Sequence, residues 1–330
     1  MIVIAPRPFA EDFAITAALE RALAPHTIHI VADPAPEADL VASGEILVTG
    51  FEHQRCEAIE FVLSMPRLRW IHSLTAGLGS VASMETVDRG ILVSSGAGVF
   101  AGPIAEFALA SLIMLARGLP ELVLAGGSRS WAAGHPLGWE LAGRRTGVIG
   151  YGGIGRRVAE LLAGVGMRVG VVTRTPESHR RGSAESVTGL DGLPRLLEES
   201  DALVVCASLN PTSVGLLGPD ELARCKPGAV LVNVARGQLV DEPALARALR
   251  AGTLAGAVID VTATEPLPPD SPLWEVPNLW ITPHLAGGTV EGRARMLDRF
   301  AVNLPLFAAG RVAEMVSVVD VRREIVTPNR

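Results

Sequence analysis

Three polar side chains follow apolar, β-branched runs, at the ends where a parallel sheet gathers its ligand-binding residues. Arg236 closes the run Val232-Asn233-Val234-Ala235 and is followed by Gly237. Its planar guanidinium can fork onto a carboxylate or a keto oxygen. Glu265 lies in a Pro-stiffened loop, Asp260-Val261-Thr262-Ala263-Thr264-Glu265-Pro266-Leu267-Pro268, and His284 in Thr282-Pro283-His284-Leu285-Ala286-Gly287-Gly288. A histidine oriented by a carboxylate can carry a proton near neutral pH. Taken singly, each residue also has a plain reading: Arg236 as a helix-cap donor, Glu265 as a solvated carboxylate, His284 as a satisfied loop histidine.

A second pattern concerns phosphate. Gly150-Tyr151-Gly152-Gly153-Ile154-Gly155 follows the run Thr146–Ile149 and precedes a helical pattern and another strand. In that context Gly150 permits a tight turn, Gly152 lets backbone approach a pyrophosphate, and Gly155 lets helix and strand pack closely. The amides of Gly153 and Ile154 then face the phosphates at a helix N-terminus. The next strand ends Val172-Thr173-Arg174-Thr175, with no carboxylate before Glu177 and with Arg180 and Arg181 soon after. Arg174 can hold a 2′-phosphate by charge-assisted contacts, so NADP(H) is favoured over NAD(H). The alternative is a solvated arginine beside an NAD site.

The elements that must position these groups alternate between short apolar runs and helical stretches, the pattern of parallel sheets covered by helices. Strands are predicted at 2–5, 27–31, 46–49, 70–73 and 91–94, with helices at 12–23 and 57–64. A long helix is predicted over 103–125. A second series follows, with strands at 145–149, 168–172, 202–205, 229–233, 256–260 and 279–282 and helices at 154–165 and 242–251. The last helix, 290–309, comes after that series and is expected to return to the first domain. Between 126 and 143 lies a Gly-rich segment with Trp131 and Trp139. It reads either as a surface loop or as an arm that buries Trp131 against a partner subunit.

Composition narrows the function classes. A length of 330 residues points to two domains, and 48% hydrophobic against 19% charged residues excludes intrinsic disorder. A net charge of −6 without any basic block argues against nucleic acid. The longest apolar run, 107–116, is about half a membrane span, and the N-terminus has no signal-peptide pattern. Cys56, Cys206 and Cys225 are scattered and form no CxxC pair, which fits a cytoplasmic protein without disulfide framework or zinc site. His26 and His29 lack a ligand partner for a metal, and His53 reads as a loop histidine or a substrate contact.

Taken together, Gly150–Gly155, Asn233–Gly237, Asp260 with Glu265–Pro268, and Thr282–Gly287 resemble the D-isomer-specific 2-hydroxyacid dehydrogenases. The relatives of that family include glyoxylate and hydroxypyruvate reductases and phosphoglycerate dehydrogenase. The resemblance runs from about Ser73 to Gly288. It implies an α/β protein of two doubly wound parallel-sheet domains. A Rossmann-type cofactor domain, 98–287, is inserted into a flavodoxin-like substrate domain, 1–97 plus 288–330. By the same resemblance Arg236, Glu265 and His284 are catalytic. The amides of Ala76, Gly77 and Leu78, with Arg236, hold the substrate carboxylate, although Gly79 stands where the family carries Asp.

Cofactor contacts are implied for Thr173, Arg174, Thr175, Ser213, Val234, Ala235, Arg236, Asp260, His284 and Gly287 besides the glycine loop, with Asp260 at the nicotinamide carboxamide. The implied reaction is reduction of a small 2-keto acid, of glyoxylate or hydroxypyruvate type, to the D-2-hydroxy acid by a homodimer. Thr75 and Ala76 near the place of a lysine argue against phosphite dehydrogenase chemistry, and Glu265 in place of glutamine argues against formate dehydrogenase. An NAD-dependent enzyme working in the oxidative direction, or a dinucleotide-sensing binding protein of the same fold, are the alternatives.

Overall fold

The computed structural model of the chain describes residues 2–6, 27–31, 36–49, 57–75, 77–78, 81–127, 131, 138–178 and 182–323. The predicted helix 12–23 and His26, His53, Cys56, Ala76, Gly79, Arg180 and Arg181 lie outside them. The chain divides into two units, Met1–Phe100 with Gly288–Arg330, and Ala101–Gly287.

In the first unit, β1 (Ile2–Pro6), β2 (Thr27–Val31), β3 (Ile46–Thr49), β4 (Trp70–Ser73) and β5 (Leu92–Ser95) form one sheet in the order β2-β1-β3-β4-β5. Every pairing in it is parallel, and the order is that of flavodoxin-like folds. Side chains alternate between the two faces, as a strand's period of two demands. Val3, Ile46, Val48 and Trp70 meet Met296, Phe300, Leu304 and Phe307 of the last helix, Val290–Ala308. Ile4, Leu47, Ile71 and Val93 meet Phe61, Val62, Met65 and Val81 on the opposite side. Each such large side chain contributes about 1.5–3 kcal/mol on burial, so the last helix is integral to this unit. Among its described residues the unit also has three short helices, α1 (Ala38–Ser43), α2 (Glu57–Ser64) and α3 (Met84–Asp88).

His72 of β4 is fully buried, and burial, with the Arg299 charge, lowers its pKa to about 3. It is therefore a neutral core histidine. Its Nδ1 lies 2.7 Å from Ser94 Oγ, which also accepts from Trp70 Nε1.

The second unit begins with α4 (Ala101–Arg117) and α5 (Leu119–Gly127). Its seven strands are β6 (Arg145–Ile149), β7 (Arg168–Val172), β8 (Ser186–Thr188), β9 (Ala202–Val205), β10 (Ala229–Asn233), β11 (Leu254–Ile259) and β12 (Leu279–Ile281). They pair in parallel in the order β12-β11-β10-β9-β6-β7-β8. Counted within the unit, this is the Rossmann order 3-2-1-4-5-6 with one strand added. The direction of winding reverses between β6 and β9, and ligands in such sheets bind beyond the strand ends at that point.

The strands read as continuous apolar runs because both faces are covered. Val148, Val204, Val230 and Val232 pack with Ala108 and Leu112 of α4 and Val158 and Leu162 of α6 (Gly153–Gly164). Ile149, Leu203, Val205 and Leu231 pack with Leu197 of α7 (Leu193–Glu199), Leu222 of α8 (Pro219–Arg224) and Leu245 and Leu249 of α9 (Glu242–Arg250).

The single helix expected over 103–125 is two helices. Gly118 between them takes φ +57°, a left-handed conformation that interrupts the ladder, and the axis turns by 71°. Among the described residues no single helix is long and apolar enough to cross a membrane. Elements absent from the sequence expectation, such as β8, α1, α3, α7 and α8, have three to seven residues, too few to display a period.

Candidate active site

The glycine loop joins β6 to α6. Gly150 takes φ +97°, and a Cβ on it would come within 2.5 Å of the Ala207 backbone, where the chain leaves β9. A Cβ on Gly155 would lie 2.1 Å from the Gly150 carbonyl oxygen, so α6 starts against the strand it follows. Gly152 behaves differently: a Cβ there would meet nothing within 4 Å. It stands at the N-cap of α6 without any side-chain cap, so open space and the uncapped first amides of the helix, from Gly153 and Ile154 onward, coincide. Room and donors of this kind suit a pyrophosphate.

At the end of β7, Thr173 is buried and donates its amide to Thr188 O at 2.9 Å, while Arg174 and Thr175 are exposed. The nearest described carboxylate after this strand is Glu177, also exposed.

Arg236 lies just past β10. Asn233 builds the turn that presents it: its Oδ1 accepts from Ala235 N at 3.0 Å, and its Nδ2 donates to Arg236 O at 3.1 Å. Val234 and Ala235 are buried beside this turn. The Arg236 guanidinium donates to Ala235 O at 2.6 Å and its charge reaches Glu265.

Glu265 and His284 are brought together. Glu265 Oε2 lies 2.8 Å from His284 Nδ1, and Glu265 Oε1 accepts from Thr262 N at 3.0 Å. Burial alone would raise the Glu265 pKa. The His284 hydrogen bond and charge, the Thr262 amide and the Arg236 charge outweigh it and hold the carboxyl below its ordinary range. The Glu265 side chain is 38% and that of His284 47% exposed, so the pair opens to a face where a substrate can reach the free Nε2 side of the ring.

The backbone of His284 takes φ +55°, uncommon for a residue with a side chain. Its amide hydrogen bonds to Asp260 O at 2.8 Å and Thr282 O at 3.0 Å. The buried Asp260 carboxylate anchors the same turn, accepting from Thr282 Oγ1 at 2.6 Å and from Leu285 N and Ala286 N at 2.9 Å each. Three of its roughly four lone-pair sites are thereby used. Asp260 is first of all the anchor of the His284 turn, a role its sequence position did not reveal. Gly287 follows that turn.

Ser213 lies in the loop that follows β9. It is buried, and its hydroxyl accepts from Asn210 N at 2.9 Å and lies 2.8 Å from Ser208 O. Its hydroxyl thus shapes the 208–213 turn.

In the other unit, the loop after β4 is closed by hydroxyls: Ser73 Oγ donates to Gly77 O at 2.8 Å and Thr75 Oγ1 to the same oxygen at 3.0 Å. Gly77 and Leu78 are half-buried there, and Gly96 allows the Leu74 carbonyl to pass within 2.3 Å of where its Cβ would lie.

A Rossmann sheet with a glycine loop of this shape defines a dinucleotide-binding α/β protein. The family model "D-isomer specific 2-hydroxyacid dehydrogenase, NAD binding domain" matches residues 109–286. A glyoxylate reductase of Korarchaeum cryptofilum is 37% identical over 253 residues, covering 75% of each chain. A D-isomer specific 2-hydroxyacid dehydrogenase family protein of Aeromonas salmonicida superposes with a TM-score of 0.84 at 28% identity, over 97% of this chain and 98% of that one. A D-isomer specific 2-hydroxyacid dehydrogenase of Xanthobacter autotrophicus, solved with NADPH and MES, superposes with a TM-score of 0.80 at 29% identity over 98% and 99%. The chain belongs to the D-isomer-specific 2-hydroxyacid dehydrogenase family, and its second unit carries the family's nicotinamide-dinucleotide-binding domain.

Proposed function

We propose that the protein reduces a small 2-keto acid, of glyoxylate or hydroxypyruvate type, to the D-2-hydroxy acid, with NADPH favoured over NADH. The observation that carries this reading is the Glu265–His284 pair at 2.8 Å, with Arg236 close enough for its charge to act on Glu265. The residue types match what reduction of a keto acid requires: a cation for the carboxylate, a proton donor for the carbonyl oxygen, and a fixed orientation for that donor. The similarity to a glyoxylate reductase supports the substrate class.

Gly150, Gly152, Gly153, Ile154 and Gly155 would hold the pyrophosphate. Thr173, Arg174 and Thr175 would meet the adenosine ribose, and Ser213, Val234, Ala235, Asp260 and Gly287 would flank the nicotinamide. The dinucleotide, when bound, supplies the hydride. His284 holds a proton on Nε2 while Nδ1–H donates to Glu265, and it delivers the Nε2 proton to the carbonyl oxygen as charge develops there. Glu265 stays a carboxylate throughout and stabilises the imidazolium before that transfer. Arg236 draws the substrate carboxylate and carbonyl into one plane by a forked contact. In the first unit, the amides of Ala76, Gly77 and Leu78 would hold the substrate carboxylate. The first unit thus serves the substrate and the second the cofactor.

The NADPH preference rests on Arg174 and on the absence of a carboxylate at 173–175. Assembly as a cytoplasmic homodimer belongs to the same reading. On α5, Val123 and Leu124 are 72% and 73% exposed, and Trp131 is 97% exposed, an apolar surface suited to a second copy.

The test is oxidation of NADPH and of NADH with a panel of glyoxylate, hydroxypyruvate, pyruvate and bulkier 2-keto acids. Turnover of the small acids with NADPH is expected. An NADH preference would retain the reaction and remove the role given to Arg174. Dinucleotide binding without turnover of any acid would overturn the reaction and leave a sensor.

A further inference from the structure

The carboxylate of Glu265 is placed by a peptide two residues before it. A Cβ on Gly237 would lie 2.0 Å from Thr262 C and 2.2 Å from Ala263 N, so the Thr262–Ala263 peptide runs directly across Gly237. Ala263 is exposed, and its methyl group gives the loop no anchor. Its backbone is instead gripped on both edges. Gln238 Nε2 donates to Ala263 O at 3.0 Å, and Glu242 Oε1 accepts from Ala263 N at 2.6 Å. Both grips come from the stretch that follows Arg236. Glu242 opens α9, whose N-cap Asp241 accepts from Ala244 N at 2.7 Å, so the acceptor sits on a fixed helix start.

From the gripped peptide the order passes on. Thr262 N donates to Glu265 Oε1, Thr262 Oγ1 donates to Thr264 O at 2.8 Å, and Glu265 Oε2 then faces His284. Glu242 also sits near enough to Asp241 and Glu265 for their charges to act on it, and only the Ala263 amide favours its ionised form. A half-buried carboxylate in such company is explained by what it holds.

We propose that Glu242 and Gln238 are positioning residues, a one-acceptor, one-donor clamp on the Ala263 peptide that sets the Glu265 carboxylate against His284. The clamp ties the Glu265 loop to the stretch that follows Arg236. The inference rests on the reading of Glu265 and His284 given above.

The chemistry of the two grips makes the test directional. Glu242→Gln keeps an acceptor oxygen and should hold turnover within about twofold of wild type, whereas Glu242→Ala should lose on the order of tenfold in kcat. Gln238→Glu turns the donor into an acceptor facing a carbonyl and should lose a similar factor. In a Glu265→Gln background, adding Glu242→Ala should cost less than twofold, since its target is already gone. Amide exchange in the dinucleotide-free protein gives a readout independent of turnover: Thr262 and Ala263 should exchange faster in Glu242→Ala but not in Glu242→Gln.

Full turnover in Glu242→Ala, equal damage from Glu242→Gln, or an undiminished loss in the Glu265→Gln background would overturn the clamp. Should Glu242→Ala fail to fold, the opposite responses of Glu242→Gln and Gln238→Glu still decide it. Full activity of Glu265→Gln alone would instead sink the reading of the catalytic pair, while the exchange measurement would still report on the clamp.

Discussion

Two glycines three residues apart in the phosphate loop should respond to the same substitution in opposite ways. In Gly155→Ala the new methyl would start 2.1 Å from the Gly150 carbonyl oxygen. An ordinary carbon–oxygen contact is about 3.3 Å, so α6 or the turn must retreat by roughly 1.2 Å. The obstacle is backbone, which cannot rotate aside, and Val158 and Leu162 lose contact with the sheet as the helix moves. Overpacking of this kind costs about 3 kcal/mol, the upper end of the usual range. For a unit of this size that lowers Tm by about 6–12 °C.

In Gly152→Ala the methyl meets open space, and φ −76° with ψ −161° is accessible to alanine. A poorer N-cap residue and a less flexible unfolded chain nearly cancel, leaving stability within about 1 kcal/mol of wild type. Its dinucleotide affinity should nonetheless fall by at least about tenfold, because the methyl fills the space where backbone must approach the phosphates. Thermal unfolding of the dinucleotide-free variants and titration with NADPH measure both effects. A Gly155→Ala protein melting within 2 °C of wild type would refute the packing argument, about a third of the smallest shift expected. Normal NADPH binding by Gly152→Ala would remove the pyrophosphate from this loop.

The pH dependence of Glu265 has a defined sign. Its folded pKa lies below the ordinary carboxylate value, so its contribution is complete above that value and disappears as pH falls through the folded one. Discounted for an exposed pair, Glu265→Gln should cost about 0.5–1 kcal/mol at pH 7, with the gap in urea midpoint closing on acidification. Arg236→Ala should raise the keto-acid KM by roughly 10–100-fold, the loss of one or two charge-assisted hydrogen bonds, and lower kcat while leaving NADPH affinity within about threefold. An unchanged KM would take Arg236 out of the substrate site. Val123→Glu with Leu124→Glu should convert a dimer to monomer in sedimentation, and an unaltered mass would move the interface elsewhere.

The sheets were legible because their strands are apolar on both faces. The runs at 46–49, 70–73, 145–149, 168–172, 202–205 and 229–233 became strands with those bounds. Helix breaks were harder to see. The apolar pattern continues through Gly118, where a left-handed backbone ends α4, and Pro120 two residues on suits the first turn of a new helix, a signal that the run of apolar residues masked. At the site, Arg236, Glu265 and His284 stood out because their side chains suit proton transfer and anion binding. The holding roles of Asp260, Asn233, Gln238 and Glu242 did not, since these groups act mostly on backbone amides and carbonyls. Such a target has no residue type to read. The Ala263 peptide lies 21 residues from Glu242, and nothing about an alanine announces that it is gripped.

This division between side chains proposed to react and backbone that positions them bears on how the pair would work. The Glu265–His284 contact is short, yet both side chains are partly exposed. For two charges about 4 Å apart the attraction is about 1 kcal/mol in water and about 4 kcal/mol at an effective dielectric of 20. In the open site the ion pair is therefore weak, and the geometry has to come from elsewhere. Asp260 supplies it for His284 by holding a backbone at φ +55°, and the peptide network around Ala263 supplies it for Glu265. In the proposed reaction, a substrate that covers the ring would displace water and strengthen a contact whose alignment is already fixed. The carboxylate would then support a protonated imidazole most strongly when an acceptor for the proton is present, which is the condition under which the proposed proton delivery is useful.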